Sequence, residues 1–189
     1  MRKLVSVPVV HSVQDLGQLG HDVRESTVHS QGVESWHRKE RAIANYWDRI
    51  EKKIHELGLE WKKVRIYQDG LPVCEHEQEI AQDVAQKGSR NHELLLQLVD
   101  KGATLMGTES PDLLLQEYSN LQQGLHQSRS EEQAKESADI LRARDVFIAE
   151  RINATLGLDE TGLVFVGKLH DFIPYLAEDI KVQQMNVRA

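Results

Sequence analysis

The sequence predicts an α/β protein: a central, largely parallel sheet of about five strands flanked by helices, in a single domain. Three observations carry this. Short apolar runs rich in β-branched residues recur along the chain. Segments with helical apolar spacing separate them. The 189 residues contain no internal repeat and no low-complexity linker, and that length suits one domain with a substantial core.

The first apolar run, Lys3–Val10, reads as a strand. The polar, glycine-containing stretch Gln14–Val33 follows. It reads as a long loop or a loosely helical lid over the end of that strand. Over 34–57, Ile43, Tyr46, Trp47, Ile50, Ile54 and Leu57 recur at three- and four-residue spacing, which predicts a long amphipathic helix. A second strand is expected at Lys63–Tyr67, then helices at Glu75–Lys87 and Ser89–Lys101, the latter with Ser89 as N-cap. Ala103–Met106 reads as a third strand. Ser110 before Pro111 places a cap ahead of a proline at the first helical position, opening a helix over Pro111–His126. Ser130 with Gln133 has the form of a capping box and opens a second long helix, 130–157, ending near Gly157. Leu163–Val166 and a weaker Ile180–Met185 complete the strands.

Composition narrows the function. The formal net charge is −7 with no long basic block, which argues against nucleic acid as a partner. No run of eighteen apolar residues exists, so no membrane span is expected. The opening "MRKLVSVPVVHSVQDLG" is interrupted by Ser6, Pro8 and His11 and does not read as a signal peptide. The single cysteine, Cys74, excludes an internal disulfide and suits a reducing compartment, so the expected location is cytoplasmic.

In open parallel sheets, ligands bind beyond the carboxyl ends of the strands. The residues expected there are His11, Asp69, Glu109 and His170, the two histidines within roughly 10 Å of each other. Imidazole with carboxylate is a ligand set for a divalent metal such as Mn or Zn. The plainer alternative is that loops after strands are simply polar. Asp145 raises a separate question, because it lies on the apolar stripe Leu141, Ile148, Ile152 and Leu156. A carboxylate there is either buried in an ion pair with an arginine or part of a site. Arg144 points elsewhere on the helical wheel. Arg90 and His92 sit in the first turn of a helix, where free N–H groups attract a substrate anion, unless His92 and Glu93 merely complete the cap.

The stretch "RARDVFIAERINATLGLDETGLVFVGKLHDF" resembles the C-terminal part of the superfamily containing the erythromycin esterases, the haem-uptake ChaN-like proteins and the TraB/Tiki proteins. In that pattern an Arg-Asp pair opens a helix with a small residue on its inner face, and a later strand ends in Gly-x-x-His. Here the pair resembles Arg144–Asp145, the small residue Ala149, and the final motif Gly167 to His170. The resemblance covers about the first fifteen residues and Arg142 to Val187. Two positions depart from it. Pro8 stands where the first Gly-x-x-His motif has glycine, and Asp69 falls near the place of a glutamate, a role that Glu109 can supply.

The resemblance implies hydrolysis or metal binding, since its members include metal-dependent proteases and enzymes that open a macrolide lactone. The expectation is therefore a metal-assisted hydrolase of a small molecule. His11 and His170 bind a divalent metal or activate water, Glu109 or Asp69 ligates or acts as base, and Asp145 and Arg144 orient the histidines. The rivals are a non-enzymatic module binding a small molecule or metal, and a protein acting through homo-oligomer or partner contacts.

Overall fold

The apolar runs become five parallel strands: β1 (Arg2–Pro8), β2 (Val64–Gln68), β3 (Thr104–Met106), β4 (Thr161–Val166) and β5 (Ile180–Gln184), side by side in the order β3-β2-β4-β1-β5. The computed structural model describes residues 1–126 and 130–187. Between the strands run α1 (Gln18–Gln31), α2 (Val33–Glu56), α3 (Glu77–Gln86), α4 (Arg90–Asp100), α5 (Pro111–His126) and α6 (Glu131–Thr155). Each strand and each of α2 to α6 begins and ends within a residue or two of its predicted bounds. The capping box at Ser130 is present in full, with the Gln133 N–H donating to Ser130 Oγ and the Ser130 N–H to Gln133 Oε1.

Alternation along the strands sorts side chains to two faces. Val5 and Val7 of β1 with Val9 just beyond it, Ile66 of β2, and Leu163 and Phe165 of β4 pack on Trp47, Ile50 and Ile54 of α2 and on Leu94, Leu95 and Leu98 of α4. Leu4, Tyr67, Val164 and Val166 face the other way, onto Ile148, Ala149 and Ile152 of α6 and its C-cap Leu156. Ala149 is fully buried, and Gly162 lies under the same helix. A Cβ on Gly162 would come 2.6 Å from Leu4 Cδ1. Small residues here let α6 lie close on the sheet, which brings its N-terminal half over the strand ends.

The stretch after β1 is helical. A 3₁₀ turn at Gln14–Leu16 leads into α1, and α1 meets α2 across the single residue Gly32 at φ 82°. Apolar spacing missed α1 because the helix is polar and mostly exposed, so burial left no pattern in its residues. Gly20 is fixed by contact: a Cβ there would lie 2.1 Å from the carbonyl oxygen of Val13.

Strand order also places the site. The chain leaves β1 toward β2 on one side, and leaves the adjacent β4 toward β5 on the other. Neighbouring strands whose connections diverge open a crevice at their carboxyl ends. His11 follows β1 there, and Gly167 and His170 follow β4.

Candidate functional site

Three strand ends meet at one carboxylate. Asp69, one residue beyond β2, lies between two imidazoles: His11 Nε2 is 3.7 Å from its Oδ2, and His170 Nε2 is 3.4 Å from its Oδ1. The Gly167 N–H donates to the same Oδ2 at 3.0 Å. A Cβ on Gly167 would sit 3.3 Å from that oxygen, so the glycine admits the backbone to the carboxylate. The side chain of His11 is 37% exposed, whereas those of Asp69 and His170 are buried.

Behind Asp69 is Glu109, completely buried just after β3. The Arg144 guanidinium of α6 ties the two carboxylates together. Its Nη2 donates to Asp69 Oδ1 at 2.8 Å and to Glu109 Oε1 at 2.5 Å, and its Nε donates to Glu109 Oε2 at 2.6 Å. Nη1 reaches Glu117 of α5 at 2.5 Å. Arg144 thus points elsewhere than Asp145, as the helical wheel predicts, but it meets the carboxylates rather than the histidines it was expected to orient. Arg144 lies one residue from Asp145 on α6, about 100° around the helix. One side chain therefore turns to the ends of β2 and β3, and the other to the loop after β4.

The charges set one another. Burial raises the Asp69 carboxyl, but the close imidazoles of His11 and His170 and the Arg144 charge overcome it and hold Asp69 well below the usual range. Glu109 goes the other way: burial raises it, and Arg144 only partly offsets that. Burial lowers the imidazole of His170, but Asp69 and Asp145 more than compensate, and it is pushed up to about 9. The nearby Asp69 carboxylate likewise raises His11. At neutral pH the floor of the site therefore holds an ionised aspartate, an imidazolium and a second, more accessible imidazole.

Asp145 is buried and satisfied by a histidine rather than an arginine. Its Oδ1 accepts from His170 Nδ1 at 2.7 Å and its Oδ2 from the Asp171 N–H at 2.9 Å. Replacement by alanine leaves the His170 imidazole and the Asp171 N–H without their acceptor. Asp145→Ala should cost about 1–3 kcal/mol in urea unfolding. It should also make the protein lose stability at lower pH on the alkaline side. His170 is raised in the fold, so its contribution is complete below its unfolded pKa and disappears as pH rises through about 9. Without Asp145 that loss should begin earlier. An unchanged urea midpoint and pH dependence would remove Asp145 from the His170 support.

These residues line a cavity of about 610 Å³ at the carboxyl edge of the sheet, with His11, Asp69, Arg144 and His170 at its base. His92 also lines it, across from them. The Ser89 cap forms as expected, the His92 N–H donating to Ser89 Oγ at 3.2 Å, while His92 Nδ1 is held 2.9 Å from the same oxygen and 3.3 Å from Asp15. Arg90 is not brought to this cavity. It turns outward, pairing with Asp48 at 2.5 Å and Glu93 at 3.2 Å. Two participants escaped the sequence reading. Glu117 had a signal, since it shares a helix face with Leu114 and Leu121, as Asp145 shares one with Ile148. Asp15 had none, because it lies in a stretch without periodicity.

The carboxylates do not fit a resident Mn or Zn ion. Asp69, Glu109 and His170 each offer a ligand atom within 4.8 Å of one another. A metal needs unprotonated donors with available lone pairs. Both Glu109 oxygens are taken by Arg144, with the Gly70 N–H also on Oε1 at 2.9 Å, and Arg144 and Gly167 occupy Asp69. His170 carries protons toward both of its aspartates at neutral pH. The guanidinium stands where a divalent cation would, and its own pKa is raised despite burial, chiefly by Glu109.

Among the described residues, no helix is long and apolar enough to cross a membrane. Comparison of the chain with protein-family models, curated proteins and solved structures finds no match.

Proposed function

We propose that the chain is a hydrolase of small acyl compounds that uses its histidines directly, without a resident metal. The observation that carries this reading is the placement of Asp69 between two imidazoles of different basicity at the base of a cavity. Groups whose surroundings push their pKa values apart divide acid and base roles between them. The Arg144–Asp145 and Gly167–His170 motifs, which resemble those of the erythromycin esterase and TraB/Tiki superfamily, support the same reading.

The roles follow from position. His11 is the accessible imidazole. With Nε2 turned to Asp69, its Nδ1 takes a proton from water as the water oxygen bonds to the acyl carbon. Asp69 orients His11 and stabilises the imidazolium that forms. The His170 imidazolium supplies positive charge for the oxyanion. The bond from the acyl carbon to the alcohol oxygen then breaks, and His11 returns its proton to that oxygen. Arg144 and Asp145 touch no reacting atom in this scheme. They hold Asp69 ionised and His170 charged and in place.

The test is hydrolysis of a panel of p-nitrophenyl esters across pH. Turnover needs neutral His11 and charged His170. It should therefore rise through the His11 pKa, which lies above the ordinary 6.5, and fall again near pH 9, giving a bell. EDTA should leave the rate unchanged. A rate abolished by EDTA and restored by Mn²⁺ or Zn²⁺ would return the metal to the site, and no turnover of any ester would remove the hydrolytic reading.

A further inference from the structure

The cavity has two kinds of wall. His11, Asp69 and His170 come to it from strand ends and Arg144 from α6. Leu71, Ile80, Val84, Leu114, Leu121 and Leu141 supply an apolar wall, mostly from α3, α5 and α6. A second cavity of about 220 Å³ adjoins it, lined by Asn120, Ser137, Ala138 and Ile140. Glu117, Leu121, Leu141 and Leu169 line both, so the two share one wall. The result is an apolar trough running from the histidines along the seam of α5 and α6. Leu169, 81% exposed, lies where the two cavities meet.

We infer that the substrate is an ester of a linear, medium-length acyl chain. Its carbonyl lies between His11 and His170, and its alkyl tail lies in the α5–α6 trough. The inference rests on the hydrolytic reading and adds the substrate class. The shape selects this occupant. A compact polar acyl group would leave the leucine wall in water, and a charged tail would lose its hydration against it. Glu117, the acidic group shared by the two cavities, is paired with Arg144. The larger volume, about 610 Å³, lies within the range of sites that enclose small ligands.

Two measurements test this. The first is the ratio of kcat/KM for p-nitrophenyl decanoate to that for the butanoate. Burying one methylene favours binding about four-fold. The wild-type ratio should be about 100 or more, and filling the shared wall with Leu141→Trp should bring it toward one. Leu121→Trp, at a more exposed position on the same wall, should lower it too if Leu141→Trp does not fold. The second is binding of 11-(dansylamino)undecanoic acid by fluorescence, with displacement by 1-decanol but not by 1-butanol at equal concentration. Esters cleaved with a ratio near one overturn the acyl-chain inference and leave the hydrolytic reading intact. Chain-dependent displacement without turnover of any ester leaves the trough as a binding site and overturns hydrolysis. Neither turnover nor displacement overturns both.

Discussion

Replacing Arg144 by leucine should be the most damaging single change to this fold. The guanidinium is the shared partner of Asp69 and Glu109, and Glu109 is completely buried. Removing one member of a buried ionic cluster leaves the others uncompensated, at a cost of about 3–5 kcal/mol. That is a large part of a typical domain's stability. Asp69 keeps its contacts with His11, His170 and the Gly167 N–H, so Glu109 bears most of the loss. Arg144→Leu combined with Glu109→Leu should therefore be more stable than Arg144→Leu alone, because no lone carboxylate remains under the sheet edge. Urea midpoints of the three proteins decide it. A single mutant as stable as the wild type would show that the cluster relaxes to water on its own.

His11→Ala should have the opposite profile: little change in stability and a large loss of turnover. The His11 side chain is over one-third exposed, and its contact with Asp69 is 3.7 Å, longer than a hydrogen bond. Exposed substitutions of this kind usually stay within about 0.5 kcal/mol. Loss of a general base costs about 10² to 10⁴ in rate. The acidic limb of the pH profile should vanish with it, since the group whose deprotonation creates that limb is gone, while the fall near pH 9 from His170 should remain. Added imidazole should restore part of the rate in this mutant and none in the wild type. Turnover within about three-fold of wild type would assign the base elsewhere.

The order of elements was legible because apolar side chains must be buried, and burial imposes a period. β4 alternates between α6 and the α2–α4 layer, and α2 carries Trp47, Ile50 and Ile54 on one stripe. Caps at Ser89 and Ser130 were legible because the first-turn N–H groups of a helix need acceptors that only a few side chains provide. Helix α1 was legible only as one of two alternatives, a long loop or a loosely helical lid, since its polar residues bury little and leave no stripe.

At the site, the chain by itself determined the inventory: two histidines and two carboxylates after parallel strands, and an aspartate on the apolar stripe of α6. Which groups meet was decided by tertiary structure. A side chain's hydrogen-bond partner depends on where distant segments cross, and Asp69 and Arg144 are 75 residues apart. Arg144 and Asp145 are neighbours in the chain, yet the helix turns them to different strand ends, one onto carboxylates and the other onto His170. Arg90 was drawn to a surface pair with Asp48 because α2 passes beside the start of α4. Residue types tell which charges must be balanced. Only the packed chain chooses the balancing partner, and here it chose a guanidinium for the carboxylates.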